Sequence, residues 1–406
     1  VDWGFDSHIW NYPEWDNYEL SWRPDMWYNT VDRAKIGLHF NGNYMNTKHV
    51  MEFTAWYNAG SSDNGAVFIV ANDALKYKDA DYFSFDFNYK TATDKYLPNS
   101  NFFFDTKYLD GVFGVKIGGE KNAGRKNEDK FTLYWKSMEV FKNYYLLYGE
   151  NVFEQKNNAV HVEYEHNYKM YNGTGKFKLH FRSDDLLSDY DYQYINLEQI
   201  NKLKLSKLDL NIRVFGQWGG GSHIPFESSL MLAGANQEEL LENKYTRAEG
   251  FFPPEWTEFG TVSNHFQQGG GLNLRGYAGY FAAETGSDST IYATYFGASG
   301  ASVNAELEFD RLLTKKQIIS FIKMTPYLFF DAGSIAYEEA DGKNSYSKVR
   351  MDAGLGSAFT WSWWGSLEDI KPLTVRIDFP FFLNRPPFEE SDYFKFRYVI
   401  GLERAF

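Results

Sequence analysis

Apolar and polar residues alternate along this chain with a period of two. Tyr18, Leu20 and Trp22 share one side of a segment whose other side carries Glu19, Ser21 and Arg23, until Pro24 interrupts it. Asn29-Thr30-Val31-Asp32 turns the chain, and Ala34, Ile36, Leu38 and Phe40 then alternate with Lys35, Gly37 and His39. From Val50 to Asn58 the pattern sets Met51, Phe53, Ala55 and Tyr57 on one face. A repeat of two marks strands whose two faces meet different surroundings. Further alternating segments fall at Tyr82 to Tyr89, Val112 to Gly118, Phe131 to Met138, Tyr144 to Tyr148, Val160 to Tyr171, Gly175 to Phe181 and Leu205 to Gln217. Polar links such as Gly118 to Asp129 and Ser183 to Asp191 separate them, so the chain predicts an all-β antiparallel meander.

The alternation lapses between Gly219 and Gly271. There the one helical-looking stretch, Asn236 to Lys244, carries Glu238, Glu239, Leu240 and Leu241, and Phe251-Phe252-Pro253-Pro254 follows. A link of that length is functional more often than idle. Strands resume at Ile291 to Phe296, Ala301 to Phe309, Met324 to Phe330, Met351 to Trp361, Leu373 to Phe379 and Lys395 to Phe406. In the last of these Tyr398, Ile400, Leu402 and Phe406 share parity, which predicts one apolar face up to the terminal ring. Residues 1–16, rich in Asp, Trp, Asn and Pro, read as an entry segment rather than a strand. Residues 17–406 read as one unit, with no linker to suggest a second domain.

Composition changes this picture in one direction. The 406 residues include 30 Tyr, 36 Phe and 12 Trp, too many large rings for a disordered chain. Yet mean hydropathy is −0.51, and no apolar run approaches the ~18 residues of a spanning helix. A barrel wall reconciles the two, because each spanning strand is half lumen-facing and polar, with aromatic girdles at both interfaces. The competing architecture is a soluble sandwich or propeller. With 41 Lys and Arg against 54 Asp and Glu the formal charge is −13, which argues against a nucleic-acid partner. Cysteine is absent, so no disulfide framework or thiolate metal site exists. The sequence opens at Val1 without an initiator Met or an apolar leader, and so reads as a mature or truncated product.

The chemistry concentrates in Gly269-Gly270-Gly271-Leu272-Asn273-Leu274-Arg275-Gly276-Tyr277. A guanidinium in a segment of sheet-like periodicity requires a carboxylate, and Glu308 and Asp331 are the downstream candidates. The expected arrangement is a loop folded inside a closed barrel and tied there by those acids. It serves either as a fixed clasp or as a latch on a seam. Pro24 in the first strand and Gly401 in the last weaken the two strands that would meet at that seam. A half-paired edge of this kind either merely closes the barrel or templates an incoming strand.

Leu274-Arg275-Gly276-Tyr277, Glu308-Phe309, Phe330-Asp331-Ala332-Gly333, Asp352-Ala353-Gly354-Leu355-Gly356 and the strand ending at Phe406 occur in an order that resembles the bacterial surface antigen superfamily. That superfamily comprises barrel-assembly insertases, two-partner-secretion transporters and related proteins. The resemblance covers about the last third of the chain. It implies a single sixteen-stranded antiparallel transmembrane barrel in the bacterial outer membrane, with an inward-folded extracellular loop at residues 219–277. Arg275 would pair with Asp331 and Glu308, with Gly276 and Tyr277 beside it, and Pro24, Gly401 and Phe406 would mark the seam.

A narrower resemblance rests on Trp22-Arg23-Pro24-Asp25-Met26-Trp27-Tyr28-Asn29-Thr30-Val31-Asp32, Gly37-Leu38-His39, Leu232-Ala233-Gly234-Ala235 and Asn243-Lys244-Tyr245-Thr246-Arg247. These look like the C-terminal barrel of Bacteroidota zinc aminopeptidases of the gluzincin type. The implied role is a membrane anchor and transport or assembly module, the C-terminal part of a larger protein. Any zinc would then belong to an upstream peptidase domain. The partners implied are outer-membrane lipid, periplasmic or surface lipoproteins and that upstream domain. The chain itself has no H-E-x-x-H; His161-Val162-Glu163-Tyr164-Glu165-His166 has the wrong spacing and lies in an alternating segment. No catalysis, metal or cofactor is therefore expected within these residues. The alternative function is an insertase or secretion translocase acting through the seam.

Overall fold

The computed structural model describes residues 1–6, 16–59, 81–124, 126, 128–147, 155–184, 187–257, 265–312, 317–319, 321–361, 373–386 and 392–406. A short strand, β1 (Asp2–Phe5), precedes a run of long ones: β2 (Glu19–Asn29), β3 (Arg33–Tyr44), β4 (Lys48–Asn58), β5 (Phe83–Ala92), β6 (Ser100–Leu109), β7 (Val112–Ala123), β8 (Asp129–Val140), β9 (Asn157–Met170), β10 (Gly173–Ser183), β11 (Asp191–Leu205) and β12 (Leu208–His223). From β3 to β12 each is antiparallel to the one before it.

The antiparallel meander is then interrupted over 224–299. That connection holds the short strands β13 (Leu230–Met231), β14 (Phe266–Gln268), β15 (Glu284–Thr285), β16 (Ile291–Tyr292) and β17 (Phe296–Gly297), and one helix, α1 (Gln237–Leu240). The sheet resumes with β18 (Gly300–Glu308), which pairs with β12, and continues through β19 (Gln317–Ile319), β20 (Ile322–Glu338), β21 (Asn344–Tyr346), β22 (Arg350–Trp361), β23 (Leu373–Leu383) and β24 (Val399–Leu402).

The alternation read from sequence becomes two unlike faces. Along β18, Ser302, Asn304 and Glu306 are buried while Ala301 and Val303 are exposed. On the outer face, Leu133, Val162, Phe181, Ile195 and Trp218 are successive cross-strand partners from β8 to β12. All five are exposed. The inner face wraps around the 224–299 connection. Trp27 on β2 packs on Tyr245 and Phe251, Arg182 on β10 binds Glu238, and Arg376 on β23 binds Gln267. One segment touching both ends and the middle of the sheet means that the sheet curls around it. The largest apolar core lies at that boundary, where Leu230, Leu232, Leu272, Leu274 and Tyr277 of the connection pack on Phe215, Ile335 and Leu383 of the wall. The strand ends also differ. Links 45–47, 171–172 and 206–207 are tight, whereas 59–82, 141–156 and 224–299 all leave from the opposite end.

Several expectations need correction. The main sheet counts twenty strands, and among the described residues no ladder joins β2 to β24, so a closed wall of sixteen antiparallel strands is not found. Two of its pairings are parallel, β1 with β2 and β14 with β24. The entry segment contains a strand, β1, although most of it, residues 7–15, lies outside the described residues. Asn143–Tyr145 forms a 3-10 turn, because Tyr145 and Leu146 are drawn into the core instead of alternating. The last strand stops at Leu402: Glu403 turns at φ 60°, and Arg404 to Phe406 leave the ladder. Helix α1 is shorter than its pattern and is fixed by a capping box. Asn236 Oδ1 accepts from Glu239 N at 2.9 Å, and Glu239 Oε2 accepts from Asn236 N at 3.0 Å. No helix among the described residues is long and apolar enough to cross a membrane.

Candidate functional site

Arg275 opens a single 3-10 turn, Arg275–Tyr277, inside the curl of the sheet. Its side chain is wholly buried, and its fork of donors is matched on several sides. Nε donates to Asp331 Oδ2 at 2.7 Å, Nη2 to Asp331 Oδ1 at 3.2 Å and Nη1 to Glu306 Oε1 at 2.8 Å. Asp378 Oδ1 lies 3.7 Å from Nη1, and the Phe329 ring stacks 4.3 Å from the guanidinium carbon. The wall prepares this seat. Asn304 on β18 stands opposite Asp331 on β20 and donates to its Oδ1 at 3.0 Å. The same amide donates to the carbonyls of Leu272 and Asn273, which fixes the loop just before the arginine. A planar, bidentate donor set is what such converging oxygens select.

The expected Arg275–Asp331 contact is thus present, and Glu308 is not part of it. Glu308 binds Arg404 at 2.5 Å and Asn211 at 2.7 Å. The reason is reach: Glu308 lies two residues beyond Glu306 on β18, about 7 Å along the strand. Arg404 joins the two acids, taking Glu306 Oε2 at 2.6 Å. Gly276 is needed where it stands, since a Cβ there would come within 2.7 Å of Asp352 Cβ and Leu383 Cδ2. Tyr277 Oη donates to Asn384 Oδ1 at 3.1 Å and accepts from Arg385 N at 3.3 Å, holding the turn to the β23 end.

Other ties of the loop were missed from sequence. Glu238 on α1 binds Arg182 at 2.6 Å and Lys136 at 2.9 Å. Burial alone would raise the Glu238 carboxyl, but the Arg182 and Lys136 charges outweigh it and hold it well below the usual range. Arg213 donates to Gly271 O at 2.9 Å, and Arg247 binds Asp110 at 2.6 Å. Glu249, half-buried nearby with its backbone bonded to Thr30 and Tyr145, is pushed up to about 6 by burial. Nothing in the spacing of these residues marks them. Only the fold brings them together.

The seam residues are resolved in an unexpected way. Asp2 N and Asp6 N donate to Tyr18 O and Trp22 O, so even-numbered positions of β2 aim their backbone groups at the free edge. Pro24 shares that parity and is exposed, so its missing N–H falls on the seam edge, where it ends the ladder with β1. At the other side β14 occupies the edge of β24, in the register Phe266 to Ile400, Gln267 to Gly401 and Gln268 to Leu402. Ile400 N donates to His265 O at 2.6 Å, and the His265 ring stacks on Tyr398 at 3.8 Å. Gly401 does more than loosen the strand. A Cβ there would sit 2.3 Å from Arg376 Nε, so its bareness lets Arg376 cross β24 to Gln267. Phe406 lies half-buried beyond the strand end, off the ladder. The first and last wall strands therefore each have their free edge covered by a short parallel segment of the same chain.

The one described group of three acids within 4.8 Å, Asp209, Glu308 and Asp310, already has Arg311 on Asp209 and Arg404 on Glu308.

No protein-family model and no curated protein matches the chain. Among solved structures it is similar to BamA from Haemophilus ducreyi lacking POTRA domains 1–3, at 10% identity and a TM-score of 0.47, over 94% of this chain and 69% of that one. It is similar to CdiB from Escherichia coli at 9% identity and a TM-score of 0.44, over 96% and 63% of the two chains. A BenF-like porin from Pseudomonas fluorescens Pf-5 aligns at 11% identity and a TM-score of 0.42, over 94% and 85%. The chain spans less than two-thirds of the CdiB chain and slightly more of the BamA chain.

Proposed function

We propose that this chain is an outer-membrane barrel whose lumen is filled by its own 224–299 loop and whose working surface is the seam between β2 and β24. The exposed apolar row from Leu133 to Trp218 supports a lipid-facing wall. The observation that carries the seam reading is the pair of parallel caps, β1 on β2 and β14 on β24. Unpaired backbone groups in a bilayer cost several kcal/mol each, so an open edge needs a partner. Here each partner is only a few residues long, and such a short ladder is replaceable by a longer strand. The function is then assembly or translocation of extended polypeptide by strand addition. An upstream aminopeptidase domain, if the full-length protein carries one, would be anchored by this barrel.

The test locks one cap in place. Phe266 and Ile400 are register partners, and the chain has no cysteine of its own. With F266C/I400C barrels in liposomes, an unfolded peptide of alternating apolar residues should bind the reduced form. Oxidation should reduce binding at least tenfold, and a thiol reductant should restore it. Equal binding to the oxidised and reduced forms would remove the seam from the function.

A further inference from the structure

At the long-loop end of the lumen the connection and the wall enclose a second site, unrelated to the seam. A pocket of about 240 Å³, room for about eight waters at ~30 Å³ each, is lined by Tyr277, Glu284, Lys348, Arg350 and Arg385 among others. Arg350 is 2% exposed and pre-positioned: its Nη2 donates to Ala282 O at 2.6 Å and Ala283 O at 3.1 Å. Its Nη1 lies 2.9 Å from Glu284 Oε1, and Arg385 Nη1 lies 3.4 Å from the same oxygen. Neither Arg350 Nη1 nor Glu284 Oε1 makes a hydrogen bond of good geometry. One carboxylate oxygen is thus shared by two guanidiniums, with Lys348 also lining the space. Three cations line the pocket against one acid, Arg350 buried at its base and Arg385 and Lys348 at its open side.

A buried guanidinium whose Nη1 faces its one carboxylate oxygen at poor alignment is better completed by a second acceptor. Two guanidiniums that meet at one carboxylate oxygen, with an ammonium on the same pocket, suit tetrahedral oxygens carrying two charges better than a single carboxylate. We propose that this pocket binds a phosphate-class dianion, either free in solution or as the exposed phosphate of a lipid headgroup. Arg350 would supply the fixed donor, with Arg385 and Lys348 closing over the ligand. The site adjoins the clasp, since the Arg350 guanidinium carbon lies 5.9 Å from the Tyr277 ring centre. Occupancy would therefore brace the turn that carries Arg275.

The test uses the full chain folded in detergent, titrated calorimetrically with inorganic phosphate and, separately, with chloride at matched ionic strength. Phosphate should bind one to one, and Arg385→Gln and Lys348→Gln should each weaken it about tenfold. Both side chains are more open than Arg350, so these variants should keep the folded gel mobility. A parallel arm presents phosphatidic acid in mixed micelles. Binding there that inorganic phosphate competes away assigns the lipid as a source, and binding of inorganic phosphate alone assigns the free ion. Heat indistinguishable from chloride in both arms, or affinity unchanged in both variants, would overturn the site. Neither result depends on whether the seam admits a strand.

Discussion

Arg275 is satisfied by two acids at hydrogen-bond distance and a third beyond it, and this arrangement fixes what its loss should do. Removing one partner of a buried pair leaves the others uncompensated, at a cost of about 3–5 kcal/mol. Arg275→Ala should therefore lower the unfolding free energy read from the urea titration of the folded, heat-modifiable band on gels by that order, moving its midpoint to lower urea. An unchanged midpoint would mean that the contact contributes nothing. The geometry also ranks the acids. Glu306→Gln should cost more than Glu308→Gln, because Glu306 serves both Arg275 and Arg404 while Glu308 serves Arg404 and Asn211 near the strand end. Sequence made Arg275 and Asp331 legible, since an arginine among glycines next to an alternating segment needs an acid. It pointed to Glu308 where the partner is Glu306, because both lie on the same face of one strand two residues apart and parity does not separate them. Only the distance from Asp331 separates them.

At the level of elements, Gly401 governs how the last strand meets the loop. Gly401→Ala would drive a Cβ into Arg376, which reaches across β24 to Gln267 and also holds Asp378. The expected result is loss of the β14–β24 ladder with the wall otherwise intact. Amide exchange at Ile400 should speed up at least tenfold while that of β9 and β10 stays as before. A uniform increase would instead point to general unfolding, and no change would deny Gly401 its role. The alternating pattern located most of the wall strands, because a two-faced environment imprints a period of two on each of them, but it missed β6 and β11. It failed at the edges. Apart from Arg404 the apolar parity reaches Phe406, but a left-handed Glu403 takes the chain off the ladder, and parity carries no signal of φ. Pro24 marks a weak point by its missing N–H, and the direction of that missing donor is set by the β2 carbonyls that accept from β1.

For the molecule as a whole, the wall is built around its own loop, and the loop is tied at several places in parallel. One of those regions responds to pH. Glu249 has its carboxyl raised to about 6, so the docked loop holds that proton more tightly than the free chain does. Docking is then strongest below the ordinary carboxylate range and weakens as pH rises through about 6. Glu238, held low, contributes in the opposite sense and loses its contribution only in much stronger acid. Limited proteolysis of the loop should thus be slower at pH 5 than at pH 7, and Glu249→Gln should flatten the difference. A rate independent of pH in the unmutated chain would contradict this. The parallel ties also set the electrical behaviour. With Glu238 on Arg182, Arg213 on Gly271 and Arg247 on Asp110 all intact, breaking the Arg275 clasp frees only one side of the plug. In planar bilayers the unmutated barrel should be nearly silent. Arg275→Ala should give brief, small openings, and deletion of 224–299 a steady large conductance. A large, steady channel in the unmutated barrel would mean that the loop does not block the lumen, and the chain would then be a pore whose seam is incidental.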